Sequence, residues 1–209
     1  MQRLFIQLLA AILLSPLLGG CASTPVAKSD VQESLEETTG SNITYVTTAA
    51  AFVSDQPGLA SGGRDYVYLA PILVSRGGDH TCWLWLGVWS TIDRQARNAD
   101  VKPLKLGALQ IVADDEPMDL DPQFADSHPT GVRQIPYATP VPPIQEFLVP
   151  VTRTQLQRLG SARVLTLVDR QEGEASRSWR GDGRAASLLS QLAEEAGAPG
   201  MNAAPVTGR

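Results

Sequence analysis

Runs of alternating hydrophobic and polar residues dominate the middle of the chain. They are rich in β-branched and aromatic residues and predict strands at 43–53, 65–76, 79–91, 104–113, 144–151, 163–169 and 174–179. Helical spacing is confined to two short stretches. The first begins with a capping-box pattern at 152–155 and is ended by Gly160, and the second begins at Asp182 as N-cap. The second helix carries a leucine stripe, Leu188, Leu189 and Leu192. The pattern predicts a mainly β (α+β) fold, an antiparallel sheet or sandwich with a short internal helix and a C-terminal helix.

The strands at 65–76 and 79–91 are joined by Gly77-Gly78, a two-residue link typical of a tight hairpin. This turn sets Arg76 opposite Asp79 and thereby fixes the register of the pair. One face of the hairpin is then aliphatic. The opposite side is the aromatic face, made of Tyr66, Tyr68, Trp83, Trp85 and Trp89. Because so large an apolar patch is rarely left bare, we expect the leucine stripe to cover it, and any open part to be a binding surface.

Pro71 lies in the first strand of this hairpin and has no N–H to donate. In the predicted register its nitrogen points away from the strand at 79–91. We therefore expect either an edge strand or a bulge beside Pro71.

The start of the chain has a different pattern. A charged beginning, Met1-Gln2-Arg3, precedes an apolar run from Leu4 to Leu14, and Ser15-Pro16 ends that run. The run is shorter than the roughly 20 residues of a membrane-spanning helix, and the order of segments is that of a secretory signal peptide. The next segment, Leu18-Gly19-Gly20-Cys21, resembles the lipobox of bacterial lipoproteins.

This resemblance covers residues 1–22, and no family is recognised for the remaining chain. It implies that signal peptidase II cuts after Gly20 and that Cys21 carries a thioether-linked diacylglycerol and an N-acyl chain. Several acyl chains on one residue give stable membrane anchoring. Because Ala22 stands where Asp would retain such a protein in the inner membrane, the resemblance implies the periplasmic face of the outer membrane.

Composition suggests how the chain is divided. We expect a signal peptide at 1–20, the lipidated cysteine and a flexible acidic tether at 21–42, a single β-rich periplasmic domain at 43–197 and a disordered tail at 198–209. The net charge of −5 has the wrong sign for a nucleic-acid-binding surface.

Candidate catalytic groups are few, and the sequence has no nucleophile elbow, zinc-protease motif or P-loop. The segment Arg180-Gly181-Asp182-Gly183 precedes a helix, as a phosphate cradle would, but a turn is the favoured interpretation. His80 and Cys82 share one strand face and could form a nucleophile–base pair or contribute to a metal site. We favour a structural role, because Cys82 falls in the aliphatic row, where a free thiol behaves as a small hydrophobe.

Five carboxylates lie within eight residues and offer the hard oxygen ligands that Ca²⁺ prefers: Asp114, Asp115, Glu116, Asp119 and Asp121. Their spacing is not that of an EF-hand, and Pro117 interrupts it. A solvated acidic loop is therefore favoured over a metal site, and we expect no cofactor apart from the covalent lipid on Cys21.

Two functions remain open. The preferred one is a non-enzymatic assembly, accessory or binding module of the bacterial envelope, with the membrane and another envelope protein as partners and no nucleic acid. The alternative is a periplasmic binder of a small ligand or glycan, or a hydrolase, with its site under the proline-rich loop 121–143. A tryptophan-lined pocket beneath that loop would favour the alternative, and a filled core would favour the first.

Overall fold

The computed structural model describes residues 30–55, 64–90, 106, 108–127, 130–132, 136–137, 139, 143, 145–170 and 176–197. The strands are β1 (Val31–Glu36), β2 (Ser41–Val46), β3 (Ala50–Asp55), β4 (Arg64–Arg76), β5 (Asp79–Ser90), β6 (Ala108–Ala113), β7 (Glu116–Asp119), β8 (Gln123–Phe124), β9 (Gln145–Val151), β10 (Leu165–Arg170) and β11 (Arg177–Gly181). The helices are α1 (Arg153–Ser161) and α2 (Ala185–Glu195), with a 3-10 turn at Ala125–Ser127. Neither described helix is long and apolar enough to cross a membrane. The predicted signal peptide, Cys21 and the tail at 198–209 lie outside the described residues.

The eleven described strands join one antiparallel sheet in the order β7-β6-β10-β11-β3-β4-β5-β9-β8, and the β1–β2 hairpin attaches to β4 beside β3. The sheet curls, so that its two halves, which we call its wings, face one large hydrophobic core. Side chains from both wings enter this core, including Ile111 on β6 and Val149 on β9. Helices α1 and α2 pack against each other and contribute leucines to the same core. The predicted mainly β antiparallel fold with an internal and a C-terminal helix is confirmed.

The β4–β5 hairpin has the predicted register. Arg76 pairs with Asp79, and at the far end Tyr66 pairs with Trp89. The two turn residues, Gly77-Gly78, have φ angles of 58° and 92°, which a glycine adopts without a Cβ clash. The hairpin therefore has the two apolar faces that its sequence indicates.

Pro71 lies where the neighbouring strand is interrupted. The pairing of β2 with β4 extends to Tyr45↔Ile72, and the pairing of β3 with β4 starts at Ala50↔Leu69, so residues 46–49 face only two residues of β4. The nitrogen of Pro71 points towards this break, because Pro71 and Leu84 form a non-hydrogen-bonded pair with β5. The strand predicted at 43–53 is thus two strands, and the bulge expected beside Pro71 takes the form of this break.

The flexible tether predicted over 21–42 is wrong for its second half. Residues 31–36 form β1, which pairs with β2 from Val31↔Val46 onwards. Four of the six side chains of β1 are exposed, so no hydrophobic alternation marks it in the sequence. The strand is held by backbone pairing and by side-chain bonds such as that from the Tyr45 hydroxyl to Gln32, at 3.3 Å.

Helix α1 begins with the predicted capping box. The Thr152 hydroxyl accepts a hydrogen bond from the Gln155 N–H at 3.1 Å, and the Gln155 side chain accepts one from the Thr152 N–H at 2.7 Å. Gly160 does not end the helix, which continues to Ser161. A Cβ on Gly160 would lie 2.7 Å from the backbone N and Cα of Ser190. The glycine is therefore the point of closest approach between α1 and α2.

Candidate functional site

The aromatic face is mostly buried. Tyr68, Trp83 and Trp85 are 8%, 5% and 1% exposed, respectively. Tyr66 and Trp89 are half-buried at the end of the hairpin away from the Gly77-Gly78 turn, where their rings stack with centroids 4.7 Å apart. The candidate binding surface is thus reduced to this terminal pair among the five residues.

Described residues of the proline-rich loop cover the aromatic face. Ala125, Val132 and Tyr137 pack on it as part of a second hydrophobic cluster that contains Trp83 and Trp85. The Tyr137 ring stacks on Trp85, with centroids 5.1 Å apart and planes at 27°. Its edge meets the Tyr45 ring at 6.0 Å. The described part of the loop therefore acts as a packed cover.

The expectation that the C-terminal helix covers the aromatic face is wrong. Leu188, Leu189 and Leu192 belong to the large core, together with the aliphatic face of the hairpin. The physical reason is the direction in which the sheet curls. The aliphatic face of the hairpin lies on the inner side of the curled sheet, and α2 packs against that side. A leucine stripe suits either face, so the sequence pattern does not determine which one it covers.

Tyr137 also occupies the break beside Pro71. Its hydroxyl donates a hydrogen bond of 2.5 Å to the Pro71 carbonyl, which points in the same direction as the Pro71 nitrogen. Burial raises the pKa of Tyr137 well above its ordinary value, with a smaller contribution from Tyr45, so the hydroxyl remains a neutral donor. Sequence reasoning missed this residue, although an aromatic side chain among prolines is a signal for a packed loop.

The polar atoms beneath the cover are already used within the chain. The Trp85 indole N–H donates to the Glu146 carboxylate at 2.9 Å, and the Trp83 indole N–H donates to the Thr81 hydroxyl at 3.0 Å. Gly87 makes room for the Trp85 ring, since a Cβ there would lie 2.8 Å from two of its carbons. These two indoles have no spare donor for a ligand.

Cys82 and His80 do not form a catalytic pair. Cys82 is 2% exposed within the large core, and burial raises its pKa to about 11, partly offset by the charge of Arg153. The His80 Nδ1 atom instead lies 2.7 Å from the Ser75 hydroxyl across the hairpin. A serine–histidine nucleophile also needs a group that orients the imidazole, and no described carboxylate hydrogen-bonds to His80. The arrangement is that of a cross-strand polar pair near the hairpin turn.

The acidic cluster is a hairpin turn. Asp114 and Asp115 have φ angles of 48° and 73° between β6 and β7. The Asp114 carboxylate accepts hydrogen bonds from the N–H groups of Arg163 (3.1 Å) and Val164 (3.0 Å), which lower its pKa. Further along the cluster, the Glu116 carboxylate lies 2.9 Å from the Arg158 guanidinium.

The remaining acidic candidates are Asp119, whose carboxylate accepts a hydrogen bond from the Gln110 amide, and exposed Asp121. Within the described ranges, no three metal-ligating side chains come together. The described structure therefore does not bring these weak candidates together, because strand alternation sends Glu116 and Asp119 to opposite faces of β7.

A cleft lies where β10 begins, β11 ends and α2 begins. We call it the arginine cleft, because Arg163 and Arg180 line it, and its volume is about 220 Å³. Gly183 and Ala186 also line it, from the connection to α2 and from its first turn. Asp182 is not the N-cap as predicted, because the helix starts at Ala185 with Arg184 as N-cap and without a side-chain cap.

No match to the chain is found among protein-family models, curated proteins or solved structures.

Proposed function

We propose that this protein is a lipid-anchored, non-enzymatic binding or assembly module at the periplasmic face of the bacterial outer membrane. The observation that carries the proposal is the segment Leu18-Gly19-Gly20-Cys21, together with the position at which the sheet begins. A diacylglycerol and an N-acyl chain on Cys21 would provide stable anchoring.

The short connection between Cys21 and β1 supports a module that works close to the membrane surface. Only residues 22–30 separate Cys21 from Val31, the first residue of β1. Nine residues reach at most about 30 Å when extended and about 15–18 Å as a coil. A partner of the anchored protein would therefore be another component of the same membrane or of the periplasm next to it.

The packing of the aromatic face favours this proposal over a small-ligand binder or hydrolase with a site under the loop 121–143. Such a site needs open volume beside the tryptophans. Val132 and Tyr137 occupy that position, and Trp85 is 1% exposed beneath them. The two indole N–H groups there are hydrogen-bonded to Glu146 and Thr81.

The first experiment tests the anchor with the two cysteines of the chain as a matched pair. Cys21→Ala should abolish labelling by a radioactive or clickable fatty acid and leave an unprocessed precursor. Cys82→Ala should keep both the label and the processing, because Cys82 is buried in the core. Loss of label in Cys82→Ala, or normal processing of Cys21→Ala, would contradict the proposed anchor.

The second experiment tests the assembly role. A photo-crosslinking amino acid is placed at exposed Leu35 or Phe124, and bound chains from detergent-solubilised envelopes are identified by mass spectrometry. A module of this kind should give the same envelope protein in repeated captures, and the yield should fall in Cys21→Ala. Capture of no protein from either position would count against an assembly role.

A further inference from the structure

The arginine cleft holds more positive charge than its acidic neighbours neutralise. Arg163 lies 3.9 Å from the Asp114 carboxylate, which already accepts two backbone hydrogen bonds. Asp182 itself lines the cleft, and its carboxylate is neutralised by the Arg184 guanidinium at 2.8 Å. Arg180 forms no ion pair with any residue in the described part of the chain. One guanidinium of the cleft is therefore available to an anionic ligand.

Backbone N–H groups add to this charge. The N–H groups of Arg184 and Ala185 are bonded to Asp182, through its carboxylate (3.3 Å) and its carbonyl (3.1 Å) respectively. The next two amides, of Ala186 and Ser187, precede the first carbonyl that the helix can offer them, and no side chain among the described residues caps them. The partial positive charge of the helix start adds to that of the arginines.

We propose that the arginine cleft binds a phosphate group. Residues that carry hydrogen-bond donors line the cleft from three elements: Arg163 before β10, Arg180 on β11, and Ala185 and Ala186 in the first turn of α2. A phosphate group has oxygens on all sides of its phosphorus atom, so it can accept from more elements at once than the two oxygens of a carboxylate can. The volume of about 220 Å³ is below the roughly 300–1,000 Å³ of pockets that enclose a whole small molecule. The cleft therefore holds the phosphate and leaves the remainder of the ligand outside. This inference does not depend on the lipid anchor.

The test uses the full-length protein in a non-ionic detergent and follows its thermal midpoint while inorganic phosphate replaces chloride at constant ionic strength. Binding to the folded state should raise the midpoint in a saturable way. Arg180→Gln should weaken phosphate binding about tenfold, because it removes a charge-assisted hydrogen bond. Arg170→Gln is the matched control, since Arg170 is an exposed arginine at the opposite end of β10, and it should bind as the wild type does.

Gly183→Asp should preserve or raise the stability of the fold while it weakens phosphate binding, so the two effects can be told apart. A Cβ at Gly183 meets nothing within 4 Å, so the side chain fits, and a carboxylate near a helix start is favourable. This variant should be at least as stable as the wild type and should lose phosphate binding, because its carboxylate competes for the same donors. Undiminished phosphate binding in Gly183→Asp, or in Arg180→Gln, would overturn the proposal.

The source of the phosphate is tested by competition. Glycerophosphoglycerol, the water-soluble headgroup of phosphatidylglycerol, carries a phosphodiester, whereas inorganic phosphate represents a free anion or a monoester. Tighter binding of glycerophosphoglycerol would assign the cleft to a lipid headgroup, and tighter binding of inorganic phosphate would assign it to a soluble phosphate compound. If neither shifts the midpoint beyond chloride, the cleft is not a phosphate site.

Discussion

The contacts of Tyr137 predict how much stability the loop cover contributes. Tyr137→Phe removes the hydroxyl that donates to the Pro71 carbonyl and leaves this carbonyl without that partner, which costs about 1–2 kcal/mol. Tyr137→Ala also removes the stack on Trp85 and the edge contact with Tyr45. Truncating a buried aromatic side chain costs about 3–5 kcal/mol. The lower end of this range applies to Tyr137, because its side chain is half-buried.

Urea unfolding followed by tryptophan fluorescence measures both changes. We expect the native emission of Tyr137→Ala to shift to longer wavelength and ANS to bind, because Trp85 loses the ring that covers it. Tyr45→Phe is the control, since the hydroxyl it removes makes an exposed bond and should change stability by less than about 0.5 kcal/mol. The reasoning is refuted if Tyr137→Ala unfolds within about 0.5 kcal/mol of the wild type and binds no ANS.

Three further predictions concern other parts of the fold. Gly160→Ala should destabilise the protein by roughly 1 kcal/mol in urea titrations, because overpacking against the Ser190 backbone outweighs the gain in helix propensity. Gly183→Ala is the control and should be neutral or slightly stabilising, because the space around Gly183 is open. Cys82 should react with iodoacetamide at least about 100-fold more slowly in the native than in the unfolded protein at pH 8, because burial raises its pKa to about 11, and rapid labelling of the native protein would contradict this burial. The stability that the neutral thiol contributes should be fully present below the ordinary thiol pKa and should be lost as pH rises from there to about 11. The pKa of Asp114 is lowered, so the hydrogen bonds of its carboxylate stabilise the fold above the ordinary carboxyl pKa, and this stability is lost as pH falls through the lowered pKa. Asp114→Asn should remove this part of the acid dependence of the thermal midpoint. The same dependence of the midpoint on pH in Asp114→Asn and the wild type would contradict this role of Asp114.

The elements that sequence reasoning placed correctly depend on local chemistry. The link Gly77-Gly78 fixes a register that extends over the whole hairpin, and Thr152 with Gln155 forms a cap within one turn of helix. The elements that it missed depend on the tertiary structure. Strand β1 has almost no buried side chain, so only its pairing with β2 identifies it.

The sequence predicts which residues make up the aromatic face, but it does not predict which part of the chain packs on that face. The five residues of the aromatic face do share one side of the β4–β5 hairpin. Which element covers them depends on the direction in which the sheet curls, and this follows from contacts between residues far apart in the chain. Tyr137 and Pro71, for example, are 66 positions apart. Periodicity within a single segment contains no information about such a contact.

The weak packing of β1 also affects how far the folded domain can extend from the start of the chain. Strands β4 and β5 are buried on both sides, so their amide hydrogens should exchange only when the whole domain unfolds, whereas those of β1 should exchange through local opening. Each opening releases residues 31–40 from the sheet and adds up to about 35 Å of extended chain before β2. The first hairpin would then act as an extensible connection, which lengthens under load while the two hydrophobic cores remain closed.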